Sequence, residues 1–431
     1  MNLQRILKLL LLLLLIGSPA WADIEISAPG KQQIPLALPR FVPMGGKADP
    51  AMIAEFSEVL TADLELSGLF ELIDPRSFLA DARKLGLLSI DVDFSEWRLL
   101  GAESLIKGGY SIRGDQLVLE ARLYDVVSRR LLNGRRYVGK LTDVRRMAHA
   151  FADQILKSLT GELGPFSTRI AYISDQTGHK ELYVAEVDGH KPIRLTNHRR
   201  IVLNPDFSPN GLEMTFTSYK AGNPDLYRKE LASGRETRIS RQKGLNVGGR
   251  FHPDGQKIAL TLSKDGDSEI YLIGIDGDVR KRLTRHWAID IDPSWSPDGR
   301  QIAFVSNRRG NPNIFILDLA SEKAERLTLN GKYNVTPAWS PKGDRIAFSR
   351  KGAAGFDIYT IRPDGSDERR LTFGPGNKEH PRWSPDGRFL VYSSDEGGKK
   401  AIFQMRADGT GSRKITPSGG NFSHPAWSPR L

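Results

Sequence analysis

Two histidines and an aspartate recur at one phase of a repeat. His380 and His424 each stand three residues before a tryptophan, and Asp292 holds the same place before a third. Imidazole nitrogens and a carboxylate are ordinary ligands for a metal ion, so their convergence is the one arrangement here that would suit a metal-dependent lyase. The pattern lacks local metal-ligand spacing, however, because each residue belongs to a separate unit, and no metal or other cofactor is expected. The equivalent positions elsewhere are Asn204, Gly248 and Thr336, so five of the six are polar. A polar set of this kind suits recognition of a partner, while a solvated wall is the plain alternative. Covalent catalysis finds less support. The chain has no Gly-x-Ser-x-Gly elbow and no second large α/β domain for a hydrolase triad, and the absence of cysteine excludes thiol chemistry. No catalytic residue is assigned.

The unit that positions these residues is a phrase and the strands around it. Trp295-Ser296-Pro297-Asp298-Gly299 has relatives beginning at Phe207, Phe251, Trp339, Trp383 and Trp427, and neighbouring starts are 44 residues apart every time. A period that strict marks stacked equivalent units. The aromatic ends one strand, proline presets φ, and glycine supplies a positive φ for the turn. Asp254-Gly255, Asp298-Gly299 and Asp386-Gly387 therefore read as structural. An alternating strand follows, Gln301–Ser306 in one copy, then a polar loop, a second strand and a short third ending near Thr328. Four strands in about 40 to 45 residues match a propeller blade.

The first unit lacks its opening strand, since Ile170–Ser174 lies three periods before Ile302–Ser306 with no aromatic phrase ahead of it. The missing strand is at the other end, where His424-Pro425-Ala426-Trp427-Ser428-Pro429 opens a blade that never continues. A six-bladed ring closed by the C-terminal strand explains both ends and leaves no free sheet edge.

Ahead of the repeats, residues 23–164 mix helix and strand patterns in an α/β domain, with the propeller at 165–431. Strands are expected at Ile34–Phe41, Leu69–Ile73, Ser104–Ile112, Gln116–Tyr124 and Leu131–Val138. Helices are expected at Pro50–Ser67, Ser77–Leu85 and Asp143–Leu159, the last N-capped by Thr142. Residues 1–22 combine Arg5 and Lys8, the apolar run Leu9–Ile16 and Ala20-Trp21-Ala22, a secretory signal cleaved after Ala22. The run is too short to span a bilayer, so no stable membrane insertion is expected. Net charge is +11, with pairs at Arg129-Arg130, Arg135-Arg136, Arg145-Arg146 and Arg199-Arg200. In an exported chain without interleaved aromatics these read as solvated surface and not as a nucleic-acid site.

The blade phrase, the α/β domain in front, the export signal and the ending at Trp427-Ser428-Pro429 together resemble the TolB family, periplasmic components of the Tol-Pal system, over essentially the whole chain. That resemblance implies a non-enzymatic periplasmic adaptor for outer-membrane integrity and envelope constriction in division. Its propeller face would bind the Pal lipoprotein and its mature N-terminus TolA, with other outer-membrane lipoproteins or porins as further partners. Family architecture puts the strand ending in tryptophan innermost. Asn204, Asp292, Thr336, His380 and His424 would then face the channel mouth, with Asn246, Asn334, Asn377 and Glu379 on the same entry loops. By position the TolA segment is Asp23, Ile24, Glu25 and Ile26, either a mobile arm or a first strand. A periplasmic saccharide-binding propeller is the competing reading; it needs aromatic platforms, for which Tyr333 and Phe422 are the nearest residues.

Overall fold

The computed structural model describes residues 33–79 and 86–430. The leader and Asp23, Ile24, Glu25 and Ile26 lie outside the described residues. In the N-terminal part, strands β1 (Ile34–Ala37), β2 (Val42–Gly46), β3 (Phe70–Leu72), β4 (Ser104–Arg113), β5 (Gln116–Asp125) and β6 (Arg130–Lys140) form one sheet in the order β3-β1-β4-β5-β6, with β2 also paired to β4. Helix α1 (Pro50–Ser67) starts where Asp49 accepts a hydrogen bond from Met52 N (3.0 Å) and Pro50 presets φ, and stops at Gly68 in a left-handed conformation. Its stripe of Met52, Ile53, Phe56, Val59, Leu60 and Leu64 is buried, as the spacing requires.

Four local expectations change. The strand expected over Ile34–Phe41 stops at Ala37, and the separate strand β2 begins at Val42. Helix α2 (Phe94–Leu99) is an added turn capped by Asp93. Helix α3 (Val144–Thr160) begins after a 3-10 turn at Leu141–Asp143, so Thr142 is not its cap. The boundary residue is Asp143, whose carboxylate accepts instead from Lys140 N (2.9 Å). The expected Ser77–Leu85 helix is absent over its described residues: Ser77 ends a 3-10 turn that Pro75 starts, and Phe78 leaves it extended.

The six four-stranded sheets of the propeller follow. The first blade joins Phe422–Trp427 to Arg169–Ser174, antiparallel, with Trp427 opposite Ile170 and Phe422 opposite Ser174. Trp427 Nε1 donates to Thr168 Oγ1 (2.7 Å), and Arg169 N donates to Ser428 Oγ (2.9 Å). The opening strands of blades two to six are Val202–Phe207, Asn246–Phe251, Asp290–Trp295, Asn334–Trp339 and Lys378–Trp383. Each touches the opening strand of the next blade, and Val202–Phe207 also touches Phe422–Trp427, so these six strands line a closed axis.

The repeated phrase explains its own residues. Ser296 Oγ donates to Asp298 Oδ1 (2.6 Å), the same oxygen takes Arg300 N (3.1 Å), and Gln301 N returns to Ser296 Oγ (2.9 Å). Gly299 supplies φ +70°. Between blades, Trp295 Nε1 donates to Arg250 O (3.1 Å) and Trp383 Nε1 to Ala338 O (2.9 Å), so the buried indole ties each of these blades to its predecessor.

The α/β part packs on the end of the propeller that carries the Trp-Ser-Pro turns, hereafter the exit end. One apolar core runs from Phe56, Leu60 and Phe151 through Phe166 and Tyr172 to Phe389 and Trp427. Polar ties surround it. Arg413 Nη1 donates to Ala62 O (3.2 Å) and Arg406 Nη1 to Leu66 O (3.3 Å), placing cations at the C-terminal end of α1. Arg145 was expected on solvated surface; it is instead mostly buried between Glu55, Glu186 and Asp188.

Candidate functional site

Every opening strand is broken by one extra residue three positions before its aromatic. The register slips between Leu203 and Asp206, Val247 and Arg250, Ile291 and Ser294, Val335 and Ala338, Glu379 and Arg382, and Ser423 and Ala426. These are β-bulges, and the bulged residue is left-handed in all six: Asn204 φ +51°, Gly248 +68°, Asp292 +54°, Thr336 +53°, His380 +58° and His424 +48°. The next residue is proline in five blades, which suits a position without a ladder hydrogen bond. Left-handed backbone costs L-residues roughly 1–2 kcal/mol, least for Asn and Asp. Thr336 is the outlier, because a β-branched residue tolerates it poorly; its Oγ1 lies 2.9 Å from Ser349 Oγ.

The bulge turns these side chains inward as a collar. His380 and His424 meet with ring centroids 4.1 Å apart. A Cβ added to Gly248 would lie 3.7 Å from both Asn204 Nδ2 and Asp292 Oδ1, so the glycine leaves a gap between those two. Asp292 is three blades from His424 and two from His380, and the three do not form a ligand set. Among the described residues only His149, Glu186 and Asp188 cluster closely enough, and Arg145 bridges those two carboxylates.

The collar's electrostatics follow from its enclosure. Burial holds His380 down at about 4, with Lys400 and Arg250 adding repulsion against the opposing attraction of Glu379. Burial, then the neighbouring His380, lowers His424 well below the histidine range. Burial raises the Asp292 carboxyl, opposed by Arg250. At neutral pH the collar thus presents two neutral imidazoles, an amide, a hydroxyl and a carboxyl whose burial disfavours its charged form.

The collar sits halfway along the opening strands, deeper than a rim. Four residues expected beside it hold loops instead. Asn246 is fully buried, accepting from Ser240 Oγ (2.6 Å) and Gln242 N (2.8 Å) and donating to Gln242 O (2.8 Å). Asn334 is equally buried, donating to Asn313 Oδ1 (2.9 Å) and accepting from Arg350 Nε (2.7 Å). Asn377 clamps Asp395 through its backbone N (2.6 Å) and its Nδ2 (2.9 Å), and Glu379 takes Lys400 Nζ (2.8 Å). Of the two aromatics nearest the rim, Phe422 is in the core and only Tyr333 reaches solvent.

The entry end, where the opening strands begin, carries what the sequence reading passed over. Trp287 is 74% exposed, Leu329 75% and Phe373 66%, and Ile201, Ile289 and Tyr333 are exposed at the same end of the propeller. All lie on loops that enter opening strands, where no strand periodicity accounts for large apolar residues. Arg199, Arg200, Arg241, Lys243 and Lys332 share those loops. At the exit end, a cavity of about 300 Å³ is bounded by the four tryptophans, Phe207 and Phe251. There Glu162, from the segment joining α3 to the first blade, meets Lys342 (3.6 Å) and Arg388 (3.5 Å). The entry face carries the exposed aromatics Trp287, Tyr333 and Phe373, while at the exit end Leu212 is exposed.

Comparison with known proteins agrees with this architecture. Residues 156–431 match the TolB beta propeller domain and residues 22–132 the TolB amino-terminal domain. A Tol-Pal system protein TolB of Syntrophotalea carbinolica is 61% identical over 212 residues, 49% of each chain, and one of Geobacter sulfurreducens is 46% identical over 44% of this chain and 43% of its own. The chain thus spans about half the length of the curated relatives it matches. The crystal structure of TolB from Acinetobacter baumannii superposes with a TM-score of 0.80 at 27% identity, covering 92% of this chain and 97% of that one. Among the described residues no helix is long and apolar enough to cross a membrane. With both domain models matched in order and the six-bladed ring in place behind the α/β domain, the chain belongs to the TolB family.

Proposed function

We propose that the protein is a non-enzymatic periplasmic adaptor that binds the Pal lipoprotein through the entry face of its propeller. The observation that carries this reading is the exposed apolar set Trp287, Leu329, Phe373, Ile201, Ile289 and Tyr333 on the loops of one propeller face. A surface of that kind, rimmed by charge, is costly to leave in water and is typical of an interaction site. Beneath it the collar holds backbone strain in five non-glycine residues, which points to function because nothing in the β-ladder itself needs those side chains. The mature N-terminus, through Asp23, Ile24, Glu25 and Ile26, engages TolA in the same reading, and the signal at 1–22 is cleaved after Ala22.

The test is affinity capture of residues 23–431 from crosslinked envelopes, with partners identified by mass spectrometry. Pal should be recovered by the parent protein. Trp287→Ser with Phe373→Ser should weaken the interaction more than about tenfold, as should Asp292→Lys with His380→Ala. Deleting residues 23–33 should remove TolA and spare Pal. Capture of Pal unaffected by both pairs would move the interface off the entry face. Retention of a saccharide or a stoichiometric metal, with no envelope protein, would replace the adaptor reading by a ligand-binding or lyase one.

A further inference from the structure

A second interaction surface lies on the α/β domain, at the far edge of its sheet. Strand β6 is 11 residues long and pairs only with β5 among the described strands. The two-residue Gly114-Asp115 turn closes β4 on β5 with Arg113 opposite Gln116, which fixes the hydrogen-bonding phase of the sheet. Odd residues of β5 bond toward β6, where Leu117, Leu119, Ala121 and Leu123 face Gly139, Tyr137, Arg135 and Asn133. Leu141 N donating to Asp115 O (3.2 Å) continues the same phase. The backbone N–H and C=O groups of Gly134, Arg136 and Val138 therefore point away from the sheet.

Long exposed edges are normally shortened, covered or interrupted by proline. This one is none of those: Leu131, Leu132, Gly134, Arg136 and Val138 are all exposed. What it does carry is charge, in Arg130, Arg135, Arg136 and Lys140. Arg135 is tied to Gln154 Oε1 (2.7 Å) on α3, and Arg136 lies 3.5 Å from Glu120 while remaining mostly in solvent. Two copies meeting edge to edge would bring cation against cation, so the charge opposes self-pairing. The same charge favours an acidic strand.

We propose that the β6 edge takes an extended acidic segment of a partner protein as a further strand, with main-chain hydrogen bonds to Gly134, Arg136 and Val138 and carboxylates beside Arg136 and Lys140. This surface belongs to the α/β domain and does not depend on what the entry face binds. Gly134 offers a clean probe, because its N–H faces solvent and an added Cβ would meet only ordinary contacts, Leu131 Cδ2 at 3.7 Å and Arg122 Cγ at 3.8 Å.

The experiment titrates residues 23–431 with an acetylated, amidated seven-residue peptide alternating glutamate and valine, and with its lysine–valine counterpart, and follows amide hydrogen exchange. The acidic peptide should bind, the basic one should not, and the amides of residues 134, 136 and 138 should slow on binding. Gly134→Pro should weaken binding more than about tenfold. Arg136→Glu with Lys140→Glu should do the same, and serves if the proline variant fails to fold. Unchanged exchange at those amides under saturating peptide, affinity unaffected by the charge pair, or no binding at about 1 mM peptide would each overturn the proposal. So would concentration-dependent self-association abolished by Gly134→Pro, which would make the occupant a second copy.

Discussion

His380 and His424 stand 44 residues apart in sequence and 4.1 Å apart, ring centroid to ring centroid, across the seam between the last blade and the first. Both are enclosed and neutral, and both sit on left-handed backbone. Their contact links ring closure to the protonation state of the channel.

That link gives a pH dependence. His380 is held at about 4 in the fold, against about 6.5 in an unfolded chain. Between those values the unfolded state binds more protons, so stability is full above pH 6.5 and is lost as pH falls toward 4. The melting temperature should decline across that window, and less steeply in a His380→Gln, His424→Gln variant. Equal slopes for the two proteins would show that the histidines do not govern acid stability.

Asp292 runs the other way. Its folded carboxyl is raised by burial, so the native state holds its proton more tightly and the charged form destabilises the fold at pH 7. Asn removes the charge and accepts left-handed backbone at least as well. Asp292→Asn should raise the melting temperature at pH 7 by about 2–4 °C, with the gain vanishing below pH 3.8, while partner capture weakens. A lower melting temperature at pH 7 would mean that the carboxylate is satisfied in the collar.

Ring closure rests on one strand. Deleting residues 421–431 removes Phe422, Trp427 and the bonds to Thr168 and Arg169, and exposes the edge of the first blade. Thermal unfolding should lose cooperativity or shift down by more than about 10 °C. A truncated protein melting with the parent would contradict a ring that depends on this strand.

Gly189 occupies a tight contact between blades. Its φ is +87°, and a Cβ there would lie 1.7 Å from Ile415 O, a clash with backbone. Gly178 has the same φ and open space around it, so it serves as the control. Denaturant unfolding should put Gly189→Ala more than about 2 kcal/mol below the parent, and Gly178→Ala within about 1 kcal/mol. Equal losses would mean that the turn yields freely. The same turn glycine recurs at Gly277, where an added Cβ would lie 2.1 Å from Ile239 O, and at Gly409, where it would lie 2.6 Å from Leu371 O.

The 44-residue spacing of the phrase at Phe207, Phe251, Trp295, Trp339, Trp383 and Trp427, with an opening strand missing from the first unit and one to spare after the last, was enough to fix blade number and closure, because a ring repeats its local geometry and local geometry is written in local residue types. The stripe from Met52 to Leu64 determined α1 for the same reason. What the tertiary structure decided was direction. Asn246 and Asp292 are both polar and belong to successive blades, yet one is fully buried in a loop clamp and the other faces the channel. The bulge that separates them depends on pairing with a neighbouring strand and leaves no mark in sequence beyond a proline. Likewise Arg145 and Arg136 look alike in the chain, but carboxylates from α1 and from the first blade enclose the first and solvent surrounds the second. Trp287, Leu329 and Phe373 became a surface only when three separate loops were brought to one face of the propeller, since exposure is a property of what lies opposite a residue, and the chain alone does not state it.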